Sequence, residues 1–349
     1  MNLLQKLIEK NNLTKEEAMA MMSQIMNGSC STGQMAALLV ALKMKGETRE
    51  EIAAFAEVMR ENARRIMPKV DRQRLVDTCG TGGDSSNTFN ISTTAAFIAA
   101  GAEVKIAKHG NRSVSSSCGS ADVLEQLGVK MLEPPNVETC IEKIGIGFMF
   151  APYFHPAMKH VAPVRKELGV RTVFNILGPL TNPAGAQAQI LGVFDPLLIP
   201  TMADALAKLS TKRALVVHSD GMDEIGLGRT KIAELKNGSV EEYELDGSEF
   251  GFKQTEIPKA SSKEESARIL LDVLHGKNDA AKDVATLNAA GAIYVGGMAN
   301  SIEQGIGKAS DSIDSGNALA KLEQMIKFGD VKNENCLLNL NQNLDKVEK

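Results

Sequence analysis

The sequence predicts an α/β protein with a small N-terminal helical domain and a larger α/β domain. Three observations carry this. Residues 1–70 hold apolar positions at helical spacing behind two capping-box motifs. From Val70 onward, strand-like runs alternate with helix-like runs, the pattern of a sheet with helices packed on it. The chain has 349 residues, 43% of them hydrophobic and 23% charged, which is ordinary globular composition and enough for about two domains.

In the helical domain, Thr14-Lys-Glu-Glu17 opens the first helix. The Thr hydroxyl takes one free backbone N–H and the Glu carboxylate another. Ala18, Met21, Met22, Ile25 and Met26 follow the helical period until Gly28. A second helix spans residues 34–44 and stops at Gly46. A third opens with Thr48-Arg-Glu-Glu51 and continues through Ile52, Phe55, Ala56 and Met59. The Met-rich stripe reads as core packing. This domain is placed at residues 1–70, and the α/β domain at 71–349.

The α/β domain begins with a strand at 75–79 that runs into Gly80-Thr-Gly-Gly-Asp84. A helix at 93–100, a strand at 104–107, a helix at 123–127 and a strand at 147–150 follow. Further on come strands at 188–194 and 214–218, with a helix at 201–209 between them. Lys236-Asn-Gly-Ser239 is a hairpin turn, because Asn-Gly accepts positive φ. From Ser261 the chain is mostly helical. Residues 152–200 are rich in breakers, Pro156, Pro163, Pro179, Pro183, Pro196 and Pro200 among them, and read either as a linker or as a crossing between domains.

Composition excludes several classes. A net charge of −4 gives no global electrostatic case for nucleic acid or an anionic membrane. No apolar run approaches the ~20 residues that span a bilayer, and the charged start lacks the apolar core of a signal peptide. Cys30, Cys79, Cys118, Cys140 and Cys336 are odd in number, widely spaced and form no CxxC, against a zinc ribbon or a disulfide framework. The expectation is a reduced, cytoplasmic protein. His109, His155, His160, His218 and His275 show no zinc-binding spacing, and no GxSxG marks a serine hydrolase.

Four segments carry chemistry. The glycines of Gly80-Thr-Gly-Gly-Asp84 allow a tight turn that presents N–H groups to an anion, or simply a glycine-rich turn. Ser85 occupies the sixth position, so the dinucleotide motif GxGxxG is not met, and no GK[ST] follows for a Walker A loop. Residues 87–94 precede a helix that Ser92 or Thr93 would cap, and a helix N-terminus is a natural phosphate seat. The stretch Lys108-His-Gly-Asn-Arg-Ser-Val-Ser-Ser-Ser-Cys-Gly-Ser120 concentrates two cations, an Asn and five hydroxyls between a strand and a helix, which suits a pyrophosphate better than a plain polar loop. Asp223 and Glu224 follow the strand ending at His218; adjacent carboxylates there suit Mg²⁺, or form a solvated acidic turn.

Taken together, these residues resemble the anthranilate phosphoribosyltransferase family. The matching segments are Asp77-Thr-Cys-Gly-Thr-Gly-Gly-Asp84, Asn90-Ile-Ser-Thr93, Lys108-His-Gly-Asn-Arg-Ser113, Cys118-Gly-Ser-Ala-Asp-Val-Leu124, Phe174-Asn-Ile-Leu-Gly-Pro-Leu-Thr-Asn-Pro183 and Gly221-Met-Asp-Glu224. The resemblance implies a nucleoside phosphorylase/phosphoribosyltransferase-like fold with the active site between the domains. It also implies that part of residues 155–190 packs with the helical domain, and that two copies form a homodimer through that domain. The implied reaction moves the phosphoribosyl group of 5-phosphoribosyl 1-pyrophosphate (PRPP) to the amine of anthranilate, the second step from chorismate to tryptophan.

The resemblance further implies residue roles. PRPP would be bound by Gly80, Gly83, Asp84, Thr88, Asn90, Ile91, Ser92, Thr93, Lys108, His109, Gly110, Asn111, Arg112, Ser113, Val114, Ser115, Ser116 and Ser120. Anthranilate would sit near Gly80, His109, Asn111, Arg165 and Gly178, with Arg165 on its carboxylate, and Mg²⁺ on Ser92, Asp223 and Glu224. No catalytic base is assigned. The rivals are a pyrimidine nucleoside phosphorylase of the same fold and a non-catalytic nucleic-acid-binding relative; the Asn111 to Ser113 segment, the acidic pair and the net charge favour the transferase.

Overall fold

The computed structural model describes residues 3–113, 118–277 and 279–330. Val114, Ser115, Ser116 and Cys336 lie outside the described residues. The chain opens with α1 (Leu3–Ile8), a helix too short to show a period in the sequence and not expected from it. Then come α2 (Lys15–Met26), α3 (Thr32–Lys45) and α4 (Arg49–Glu61). Thr14 and Thr48 close the expected capping boxes. Ser31 with Gln34 closes a third, so α3 starts two residues earlier than its apolar period suggested.

Glu51 does more than cap. It is fully buried, accepts the Leu13 N–H at 2.8 Å and pairs with Lys45 at 2.8 Å. One carboxylate therefore fastens the entry to α2, the end of α3 and the start of α4.

The larger part of the chain holds β1 (Leu75–Gly80), α5 (Ile91–Gly101), β2 (Lys105–Gly110), α6 (Ser120–Gln126), α7 (Pro134–Ile144) and β3 (Ile146–Phe150). Three short helices occupy the proline-rich stretch: α8 (Ala151–Phe154), α9 (Ala162–Leu168) and α10 (Phe174–Leu177). They lead to β4 (Ala188–Gly192), α11 (Ile199–Lys208), β5 (Arg213–His218), β6 (Arg229–Lys236) and β7 (Ser239–Asp246). The C-terminal helices are α12 (Lys263–Leu274), α13 (Ala280–Val295), α14 (Ile302–Asp314) and α15 (Asn317–Gly329).

Seven strands form one sheet in the order β3-β2-β1-β4-β5-β6-β7. The first five in that order are parallel; β6 and β7 are an antiparallel hairpin turned by Asn237 and Gly238, both at positive φ. Two expectations are corrected. The strand expected at 104–107 starts at Lys105 and runs on to Gly110, so Lys108 and His109 are strand residues and not loop residues. The helix expected from Thr93 begins at Ile91 with Asn90 in the cap position, so neither Ser92 nor Thr93 is the cap. Helix α7 was not among the expected elements; it opens on Pro134 and Pro135, where proline in a first helical turn loses no hydrogen bond.

Strand alternation sorts the core. On β5, Leu215 and Val217 face α5 and α13, while Ala214 and Val216 face the other layer. That second layer is continuous with Met21, Met22 and Phe55 of the helical domain and with Val164, Phe174, Leu177 and Leu180 of the proline-rich stretch. The stretch thus packs with α2, α3 and α4 and crosses back into the sheet.

Candidate active site

The carboxyl ends of the parallel strands converge where two glycines face each other in register, Gly80 ending β1 and Gly192 ending β4. The turn after β5 lies on both. A Cβ on Gly192 would come 1.5 Å from the Asp223 carbonyl oxygen, and one on Gly80 would come 2.2 Å from Asp223 Oδ2. Only glycine lets the acidic turn approach this closely. Beyond Gly80 the chain turns through Gly82 and Gly83 at positive φ. The Gly82 N–H donates to Asp223 Oδ2 at 2.7 Å, and the Asp223 N–H donates to Asp84 Oδ2 at 3.2 Å. Glu224 accepts the Ser92 N–H at 3.1 Å, in the first turn of α5. Asp84, Asp223 and Glu224 are thereby gathered at a helix N-terminus, where the dipole favours negative charge.

Burial, and then the neighbouring Asp84, push Asp223 up to about 7. Burial, and then Asp223, push Glu224 well above the usual carboxylate range, with Lys108 opposing. Burial pushes Lys108 down, while Asp77 and the acidic pair draw it up. Lys108 Nζ donates to the Thr78 carbonyl and, at 3.2 Å, to Ser92 Oγ. It is one cation set among three carboxylates. Among the described residues no group of three or more His, Cys, Asp or Glu side chains forms a complete metal cage. Mg²⁺ needs none, because it keeps waters and substrate phosphates in its shell, and an under-compensated pair of oxygen ligands fits it.

Strand β2 sends Lys108 to one side and His109 to the other. His109 stands 5.0 Å, ring to ring, from His155. His109 Nε2, both ring nitrogens of His155 and Thr172 Oγ1 are buried without a protein hydrogen-bond partner. Burial drives His109 down to about 3, helped by His155 and opposed by the Gly178 backbone, and drives His155 down to about 4. Both rings are neutral at physiological pH. Arg165, on α9, lies 5.9 Å from the Phe174 ring centroid; burial lowers its pKa, and among the described residues no carboxylate pairs with it. A half-buried, uncompensated guanidinium beside the Phe174 ring suits a planar carboxylate ligand.

Asp77 underlies this arrangement. Its carboxylate, buried and pushed up by desolvation, accepts the His109 N–H at 3.0 Å and the Asn182 side-chain amide at 2.7 Å. Asn182 also donates to the Ala107 carbonyl at 2.9 Å. Asp77, Asn182 and His155 had no place in the sequence-derived site. The first two lie 105 residues apart and meet only in the fold, and the one local signal was their presence in the segments around Gly80 and Pro179.

The remaining expected residues sit around the same strand ends. Thr88 pairs in a β-bridge with Lys259, and the Asn90 N–H donates to Ser266 Oγ at 3.0 Å. Thr93 Oγ1 donates to Asn90 Oδ1 at 3.5 Å, and Ile91 opens α5. Ser120 Oγ donates to the Asn111 carbonyl at 3.3 Å, and a Cβ on Gly110 would fall 2.3 Å from that same hydroxyl. The Ser113 N–H donates to Asp122 at 3.1 Å. Arg112 is engaged by Glu125 at 2.5 and 2.6 Å and by Asp122 at 3.0 Å, and lies over the Phe150 ring. These acids hold its guanidinium beside the start of α6.

Comparison with known proteins agrees with this architecture. A family model described as "Glycosyl transferase family, helical bundle domain" matches residues 1–63, and one described as "Glycosyl transferase family, a/b domain" matches residues 72–319. The anthranilate phosphoribosyltransferase of Laribacter hongkongensis is 54% identical over 330 residues, covering 93% of this chain and 96% of that one. That of Haloarcula marismortui is 53% identical over 328 residues, 93% and 98%. Among solved structures, the Thermus thermophilus enzyme superposes with a TM-score of 0.89 at 44% identity, over 94% of this chain and 99% of that one. The Saccharomyces cerevisiae enzyme in complex with PRPP and Mg superposes with a TM-score of 0.81 at 30% identity, over 91% and 92%. With half its residues shared along almost its whole length, and with both halves of the fold matched, the chain belongs to the anthranilate phosphoribosyltransferase family.

Proposed function

We propose that this chain transfers the phosphoribosyl group of PRPP to the amine of anthranilate, releasing pyrophosphate and N-(5-phosphoribosyl)anthranilate, in the second step of tryptophan biosynthesis from chorismate. One observation carries the reading: β2 separates a charged cluster from a pair of neutral rings, with Lys108 tied through Ser92 to the acidic pair on one side and His109 beside His155 on the other. A donor rich in phosphate belongs to the first and an aromatic acceptor to the second. The S. cerevisiae relative, in complex with PRPP and Mg, supports the donor side. Another structure of it, in complex with 4-fluoroanthranilate, supports the acceptor side.

In this reading the Gly80–Asp84 loop and the start of α5 receive the pyrophosphate and the 5′-phosphate, with Asn90, Ser92, Thr93 and Ser120 as polar partners. Asp223 and Glu224, with Ser92, would hold Mg²⁺, which when bound neutralises the departing pyrophosphate. Lys108 keeps Ser92 and the acidic pair in register beneath it. Arg165 orients anthranilate by its carboxylate, and Gly178 and the two neutral histidines enclose the ring. Substitution at the anomeric carbon then depends on holding the amine in line with the leaving group. The aryl amine is neutral at pH 7 and loses its proton after attack, so the step needs no strong base.

No helix among the described residues is long and apolar enough to cross a membrane, in keeping with a cytoplasmic biosynthetic enzyme. The assembly we propose is a homodimer through the helical domain, where Ile8, Val40 and Met44 are exposed apolar side chains and Val40 and Met44 lie one turn apart on α3. The direct test is loss of anthranilate fluorescence with PRPP, with and without Mg²⁺; the chain has no Trp to obscure it. Mg²⁺-dependent consumption of anthranilate is expected. Phosphorolysis of a pyrimidine nucleoside, with anthranilate untouched, would refute the assignment.

A further inference from the structure

Arg171 lies in the connection between α9 and α10, on the segment that also carries Arg165 and Gly178. Its guanidinium donates from Nη2 to the Gly83 carbonyl and lies 4.2 Å from the centroid of the Phe194 ring. Phe194 is itself tied to the same loop: its N–H donates to Thr81 Oγ1 at 3.0 Å, and the Thr81 N–H donates to the Gly192 carbonyl at 2.9 Å. The loop 81–83 is therefore gripped from three sides: by the end of β4, by Asp223 through the Gly82 N–H, and by Arg171.

Gly82 and Gly83 have no side chains, and space beyond the Gly82 Cα is open. These outside contacts alone set where the loop rests. Among the described residues no carboxylate pairs with Arg171. The Gly83 carbonyl takes one of its five N–H groups. A guanidinium kept flat by an aromatic face, with donors to spare at the mouth of an anion loop, has the pre-organisation that phosphate recognition needs.

We propose that Arg171 is a positioning residue for the phosphorylated donor. It fixes Gly83, and with it the glycine-rich loop, against the pyrophosphate half of PRPP. The proposal rests on the reading that this loop receives the pyrophosphate. It also means that the donor loop is held by the segment that presents the acceptor.

Steady-state kinetics of Arg171→Ala, Arg171→Lys, Phe194→Leu and Gly83→Ala test it, with product inhibition by inorganic pyrophosphate measured alongside. Losing a charge-assisted contact of this kind costs about tenfold or more. Arg171→Ala should raise KM for PRPP by about that factor and weaken pyrophosphate inhibition in proportion. KM for anthranilate should stay within about twofold, and Tm should hold because the side chain is exposed. Arg171→Lys should recover part of the loss, and Phe194→Leu should move in the same direction as Arg171→Ala. Equal shifts in both KM values, or no shift in donor KM or pyrophosphate inhibition, would overturn the proposal. If Gly83→Ala raises donor KM while Arg171→Ala does not, the loop assignment stands and the role of Arg171 falls. If neither does, the loop assignment itself falls.

Discussion

Asp223 is the residue on which the charged pocket turns. Held near 7 by burial and by Asp84, it carries a proton over an accessible pH range. A metal binds the deprotonated carboxylate, so protons compete as pH falls through that value. The Mg²⁺ concentration giving half-maximal rate should therefore rise steeply from pH 8 to pH 6. Asp223→Asn should raise the requirement ten- to a hundredfold at pH 8, the order seen when a metal site loses a polar partner, and should flatten the pH dependence. Initial rates against Mg²⁺ at several pH values decide this; a pH-independent requirement in the unmodified chain would exclude Asp223 as a ligand. The Asp223-Glu224 pair was legible in the sequence because its members are neighbours. Its buried counter-ion was not: Lys108 read as a loop cation because nothing local says that a strand continues through a lysine. In the fold that lysine is buried between Thr78 and Ser92.

Among the elements, strand ends explain the glycines. Gly80 was visible as part of a turn motif, whereas Gly192 gave no signal, since its role depends on a turn thirty residues away lying across it. Gly192→Ala places a methyl 1.5 Å from a backbone oxygen that has no flexible way to yield. We expect about 1–3 kcal/mol of destabilisation, the usual cost of overpacking, together with a large fall in activity as the Asp223 turn is displaced. Gly307→Ala, on α14 with open space around its Cα, is the control, and should leave Tm unchanged or raise it slightly. Thermal melts and specific activity separate the two; equal behaviour would remove the close-approach argument. The helix starts at Thr14 and Thr48 were legible for the opposite reason, since a capping box is complete within four residues.

At the scale of the molecule, the fold buries two neutral histidines, His109 and His155. The folded chain holds His109 near 3 and His155 near 4, while the unfolded chain binds their protons near 6.5. The unfolded state therefore takes up more protons below 6.5. The stability that these neutral rings contribute is complete above that pH and is lost as pH falls toward their folded values. His155→Phe removes one such site and two unpartnered nitrogens, so its Tm should fall less than wild type between pH 6.5 and 4. The raised carboxylates act in the opposite sense, but they are common to both proteins and drop out of the comparison. Parallel slopes by differential scanning fluorimetry would contradict it. Assembly belongs to the same scale: Met44→Glu should shift the sedimentation coefficient to that of a monomer if α3 lies in the dimer contact, and an unchanged dimer would place the contact elsewhere. The alternation of strand and helix announced an α/β sheet, but not the strand order, which depends on long crossovers that leave no local trace.

The central claim is that the two sides of β2 hold two different substrates. A crystal of this chain soaked with PRPP and Mg²⁺, then with anthranilate, tests it most directly. The account predicts pyrophosphate density against the Gly80–Asp84 loop, with the metal at Asp223 and Glu224, and the aromatic ring beside His109 and Arg165. Both ligands on the Lys108 side, or the phosphorylated sugar on the His155 side, would contradict it.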